Sequence, residues 1–176
     1  DFGTTIRLGE GDEVRDVPHP LTRPGRALYQ FALSDSLVIT TPTGVVRVQG
    51  VAVRPRNAEA PGAAGTLFLD AVSGALVRFQ FSFTAASYRQ ADLEGIEVVL
   101  ENALFEGRHW LPWRQAIEIR RRTAWLEFPY RTTIRGQWDL SDYDFETPHP
   151  PGTFGGGPYG GMHAAAATGV WEEAID

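Results

Sequence analysis

The sequence predicts a mainly β protein: one curved antiparallel sheet, half-barrel or sandwich-like, with one or two short helices and extended arms at both ends. Three observations predict it. Apolar and polar residues alternate with period two from about residue 28 to residue 146. Turn-forming residues separate the alternating runs. In two places the alternation slips by one residue, as it does where a strand is bulged, and bulges add twist and curvature.

In chain order, the first 27 residues read as an arm. Five of the first sixteen positions are acidic and Pro18, Pro20 and Pro24 follow, which leaves a short strand at Thr4 to Leu8 and then extended chain. The domain proper spans residues 28–146. Between Val45 and Arg54 the apolar set moves from Val46 and Val48 to Val51 and Val53, which predicts a bulge at Gly50 that turns all four valines inward. Leu67 to Asp70 lead into Ala71-Val72-Ser73-Gly74, a hairpin in which Asp70 bonds the turn backbone and Gly74 takes a positive φ. In the next strand Val77, Phe79, Phe81 and Phe83 share one face against Leu76, Arg78, Gln80 and Ser82. Thr84 to Leu93 reads as a helix, with Thr84 as N-cap and Gly95 past its end. Ile96, Val98 and Leu100 alternate with Glu97 and Glu101, and a second hairpin turns at Glu106-Gly107-Arg108. Ile117 and Ile119, then Ile134, Trp138 and Leu140, complete the pattern before a slip at Ser141 leads to Tyr143 and Phe145. Such alternation gives a sheet with one apolar and one charged face. Residues 147–176 form a second arm rich in glycine and proline, with a short helix at Ala164 to Ile175.

Composition narrows the function. A chain of 176 residues buries roughly 70% of its unfolded surface, enough for a core without disulfides or metal. Cysteine is absent, which excludes a disulfide framework, a thiol nucleophile and a thiolate metal site. The net charge is −6, and Arg120, Arg121 and Arg122 make the one basic run, so nucleic acid is rejected as the partner. All basic residues are arginine, which reads as the codon bias of a GC-rich bacterial genome acting on permissive surface sites. No apolar run approaches the roughly 18 residues of a spanning helix. The chain starts at Asp1, so a removed signal peptide or an upstream anchor is expected.

No catalytic motif stands out. His19, His109, His149 and His163 include no pair at helical zinc spacing. Asp139, Asp142, Asp144 and Glu146 lack the glycine and terminal glutamate of a calcium loop. A G-x-S-x-G turn is absent, Gly155 to Gly161 lacks the ending of a phosphate loop, and Glu97 and Glu101 read as a solvated strand face. The chain is therefore read as a non-enzyme without cofactor or metal. Trp and Arg anchor interfaces, and the alternation lapses around Trp125, so Trp125, Arg120 and Arg122 are candidate partner contacts. Phe154, Tyr159 and Trp171 join them as aromatics on an arm that gains order against a partner. Trp113 shares parity with Ile117 and Ile119 and is expected inward.

The run Gly65-Thr66-Leu67-Phe68-Leu69-Asp70 with Ser73-Gly74-Ala75-Leu76-Val77-Arg78 resembles the hairpin of the periplasmic LolA/RseB-like superfamily. The stretches Val53-Arg54-Pro55-Arg56, Glu101 to Pro112 and Ile134-Arg135-Gly136 are similar to bacterial envelope proteins in which such a domain precedes an outer-membrane barrel. The resemblance covers about residues 30 to 146 and implies a curved half-barrel in the periplasm, peripheral to a membrane. It implies a structural or accessory subunit of a larger membrane assembly, a photosynthetic or respiratory complex being one concrete case. The second expectation is a carrier or sensor of lipid or lipoprotein acyl chains, with a concave apolar face of Val77, Phe79, Phe81, Phe83, Ile117 and Ile119. An enzyme whose site is assembled from distant strands is the third.

Overall fold

The computed structural model describes residues 3–8, 13–125, 128–145 and 170–175, with side chains over 3–8, 13–122 and 130–145. Two short strands, β1 (Thr5–Ile6) and β2 (Val17–Pro18), pair with each other, and one helical turn, α1 (Arg23–Arg26), follows. Eight strands then form a single antiparallel sheet: β3 (Tyr29–Thr41), β4 (Gly44–Pro55), β5 (Ala63–Asp70), β6 (Leu76–Phe83), β7 (Leu93–Phe105), β8 (His109–Trp125), β9 (Phe128–Asp139) and β10 (Val170–Ile175). They neighbour one another in chain order, so the sheet is an open meander with β3 at one edge and β10 at the other. The predicted mainly β fold is what the chain adopts.

Both hairpins form as their residues require. Asp70 Oδ2 accepts the Ser73 backbone N–H at 2.8 Å, and Gly74 sits at φ 71°. Glu106 and Gly107 turn at φ 49° and 66°. Register shifts mark an extra residue in β3 opposite Gly50, at Val77 in β6, at Glu94 in β7 and at Trp113 in β8, and each bends its strand.

The bulge expected at Gly50 lies instead in the facing strand. The β4–β5 ladder runs unbroken from Val48 to Val53, so Val48 and Val51 point to opposite faces, and Ser34 and Asp35 of β3 together oppose Gly50. A Cβ on Gly50 would stand 2.3 Å from Ser34 Oγ and 2.9 Å from the Asp35 carbonyl. Glycine is needed there because the neighbour's bulge fills its side-chain space.

The two valine pairs accordingly serve different cores. On the first face Phe79, Phe81, Phe83, Ile96 and Val98 cluster with Val53 and Leu67, and Ile117 and Ile119 pack against them. On the second face Val48, Ile39 and Val77 form a smaller cluster with Val46, Phe68 and Trp110 around it. Val77 therefore departs from the expected phenylalanine row. As the bulged residue it turns to the other side, while Leu76 joins the main cluster. The second face is thus charged across β6 to β9 but apolar toward β3 and β4.

Three further expectations need correction. The Thr84–Leu93 helix is a single 3-10 turn at Ala85–Ser87. Thr84 Oγ1 donates to the Ala60 carbonyl (2.9 Å) and accepts from the Gly62 N–H (3.1 Å), so long-range bonds replace the cap that local sequence offers. The C-terminal helix gives way to β10, in which Val170 to Ile175 pair with Gln137 to Thr132 of β9. The free edge of β9 satisfies its backbone, which a short glycine-flanked helix cannot do as well. At Ser141 there is no bulge, because β9 has already ended at Asp139. The chain turns at Asp142 (φ 58°) and lays Tyr143 on Phe105 and Phe145 on His109.

Candidate functional site

The apolar face that the phenylalanine row creates is closed. Residues 4–8 and 13–22, expected as part of an extended arm, lie across it as a strap, with Val14 and Val17 fully buried in the main cluster and Ile6, Leu8 and Leu21 packed against it. Val14 bridges Tyr88, the Arg15 N–H donates to the Ser87 carbonyl at 2.8 Å, and the Arg89 N–H donates to the Glu13 carbonyl at 2.8 Å. Tyr29, itself buried, donates its hydroxyl to the Pro18 carbonyl at 2.6 Å and accepts the Ala63 N–H at 3.2 Å, which ties strap to sheet. Arg121 clamps the strap from the far side by pairing with Glu13 while also holding Asp92 at 3.0 Å.

His19 sits in this strap, buried near the Phe79 ring, and its Nδ1 accepts the Leu21 N–H at 3.2 Å. Burial holds its pKa below the ordinary 6.5, because the apolar surroundings disfavour the imidazolium. The unfolded chain therefore takes up a proton first as pH falls. The neutral imidazole's contribution is complete above about pH 6.5 and declines as pH drops from there toward the folded-state value. Urea midpoints are expected to fall between pH 7.5 and 5.5 in the native chain and to change less in His19→Asn, which keeps an acceptor but does not titrate. Equal pH dependence in both would refute this role.

What the strap leaves open is the β3 edge. No described strand pairs with the outer side of β3, so part of its backbone N–H and C=O groups faces outward. Along it Phe31, Leu33, Leu37 and Val38 are exposed, Leu33 to 80% and Val38 to 60%, and Val45 on β4 to 70%. The register places Phe31, Leu33, Val38 and Val45 on the strap side of the sheet, so they continue the covered apolar face outward into solvent. The β3 bulge alone interrupts this edge, where Gln49 Nε2 donates to the Ser34 carbonyl and Ser36 Oγ donates to Gln49 Oε1 at 2.8 Å. A long edge strand with alternate apolar side chains is what chains normally cover or break with charge. Asp35 is its one charged residue.

The residues singled out from sequence lie elsewhere. Arg120 and Arg122 are exposed but internally occupied: Arg120 lies 3.9 Å from Glu118, and Arg122 lies 3.6 Å from Glu94, which Arg131 also reaches at 3.2 Å. The basic run is therefore met by carboxylates of the chain itself, Glu118 of β8, Glu94 of β7 and, for Arg121, Glu13 of the strap and Asp92. Trp125 lies at the end of β8 opposite Phe128, and Trp171 opposite Gly136, with their side chains outside the described residues, as are Phe154 and Tyr159 entirely. Trp113, expected inward, is the extra residue of the β8 bulge and joins neither core cluster; the Arg114 guanidinium stands 4.2 Å over its ring. Phe79, Phe81, Phe83, Ile117 and Ile119 do come together, under the strap. Among the described residues no group of three or more metal-ligating side chains gathers, and no helix is long and apolar enough to cross a membrane. Comparison with family models, curated proteins and solved structures finds no match.

Proposed function

We propose that this chain is a non-catalytic structural or accessory module of a bacterial membrane assembly, peripheral to the membrane on its periplasmic side. It docks through the β3 edge. The observation that carries the reading is the exposure of Leu33 and Val38 on an edge strand whose outer side no described strand pairs. Such an edge takes an extended segment of a partner protein with an apolar residue at every second position, since backbone pairing supplies affinity and the alternate side chains supply specificity. The LolA/RseB-like resemblance supports the periplasmic placement. The strap supports binding over acyl-chain carriage, because Val14 and Val17 already occupy the apolar face that a carrier leaves open.

The test is a double substitution, Leu33→Arg with Val38→Arg, in the producing bacterium. Both side chains are exposed, so the fold should stay within about 0.5 kcal/mol of the native chain. Fractionation of solubilised envelopes should show the native chain co-migrating with a larger assembly and the double variant at its own monomer size. A folded double variant that stays with the assembly would remove β3 from the interface.

A further inference from the structure

Across β6 to β9 the second face of the sheet is hollowed into a trough of about 520 Å³, lined by Val99 and Ala116 and by Gln80, Glu97, Glu118 and Arg135. Its volume falls within the roughly 300–1,000 Å³ of small-ligand sites. It lies on the face opposite the strap, away from the β3 docking strip. We propose that this trough binds an aliphatic cation, a guanidinium or primary ammonium on an apolar stem, with Glu97 as its counter-ion.

The charge arrangement singles out Glu97. Every other carboxylate on β7, β8 and β9 has a guanidinium beside it: Glu94 has Arg131 at 3.2 Å, Glu101 has Arg78 at 2.5 Å, Glu118 has Arg135 at 3.0 Å and Asp139 has Arg114 at 2.7 Å. Among the described residues Glu97 is given only the neutral amide of Gln80, whose Nε2 donates to it at 3.1 Å. Glu97 also stands directly opposite Glu118 in the β7–β8 register, a like-charge pairing that weakens a sheet. Arg135 already answers Glu118, so the charge left over in the trough is that of Glu97, and the small side chains of Val99 and Ala116 leave space for the methylenes of a cation's stem. An anion meets the Glu97 charge and is disfavoured.

The probes are N-acetyl-arginine amide, which stands for an arginine side chain on a peptide, and putrescine, which stands for a free diamine. Each is titrated into the full chain and followed by amide chemical shifts. Saturable shifts at Glu97, Val99, Ala116 and Glu118 are expected with at least one probe, and the tighter probe tells whether the cation comes from a peptide or a small molecule. Glu97→Gln should weaken binding about tenfold, the size of one lost charge-assisted contact. Ala116→Leu, which fills the trough and leaves Glu97 in place, should weaken it as well. Shifts that never saturate with either probe, or binding unchanged in both folded variants, would overturn the proposal.

Discussion

Phe79→Ala is expected to cost about 3–5 kcal/mol of stability, the usual range for a large aromatic removed from a core. Phe79 is 1% exposed, stacks on Phe81 at 4.4 Å between ring centroids and faces His19 of the strap at 6.4 Å. It also pairs Leu67 on one side and Leu100 on the other, so the lost ring leaves a cavity that rigid strands cannot close. Denaturant unfolding checks the magnitude. A distinctive consequence is loosening of the strap, so hydrogen exchange at Arg15, His19 and Leu21 should quicken more than exchange at the β7–β8 ladder. A cost below about 1 kcal/mol would mean that the cluster is not a close-packed core.

Gly65→Ala is expected to destabilise by about 3 kcal/mol, at the upper end for overpacking. Gly65 faces Phe81 across the β5–β6 ladder. A Cβ there would lie 2.0 Å from the Gln80 carbonyl oxygen and 2.5 Å from the Phe81 Cα. These are backbone atoms, so relief requires the strands to shift, and Phe81 is anchored between Phe79 and Phe83. Thermal unfolding should move down by roughly 2–4 °C per kcal/mol for a chain near this size. Gly74→Ala meets no neighbour within 4 Å but forces a side chain at φ 71°, and should cost about 1 kcal/mol. Comparable losses at the two sites would contradict the close approach at Gly65.

Much of the sheet is legible in the sequence because one-sided burial imprints a period of two, and β5 through β9 carry it. The strap is not legible in the same way. Ile6, Leu8, Val14, Val17 and Leu21 lie among acids and prolines without a period, since short extended pieces bury single side chains against strands distant in sequence. At Gly50 the slip in pattern is real, but it marks a change of buried face in an unbroken strand, from Val46 and Val48 in the second cluster to Val51 and Val53 in the main one, with the bulge across from it. Its assignment to β3 depends on the packing of Ser34. Thr84 offers a cap by local chemistry and spends it on Ala60 and Gly62.

The docking strip hides for a different reason. Phe31, Leu33 and Val38 look like ordinary core residues of an alternating strand, and only the edge position of β3, a property of the topology, leaves them in solvent. The arginine run attracted notice in sequence because two of its counter-charges, Glu13 and Glu94, lie elsewhere along the chain. The trough depends on the same kind of information, since Glu97 is conspicuous only once every neighbouring carboxylate has been matched to its arginine.

Hydrogen exchange on β3, compared between the isolated chain and the chain held in its membrane assembly, tests the docking account most directly. In the isolated chain the outward amides of β3 are expected to exchange quickly, as unpaired edge groups do. In the assembly those from Tyr29 to Leu33 and from Ser36 to Thr41 should slow by at least tenfold, with β7 unchanged. Identical β3 exchange in the two states, with new protection appearing elsewhere on the sheet, would contradict it.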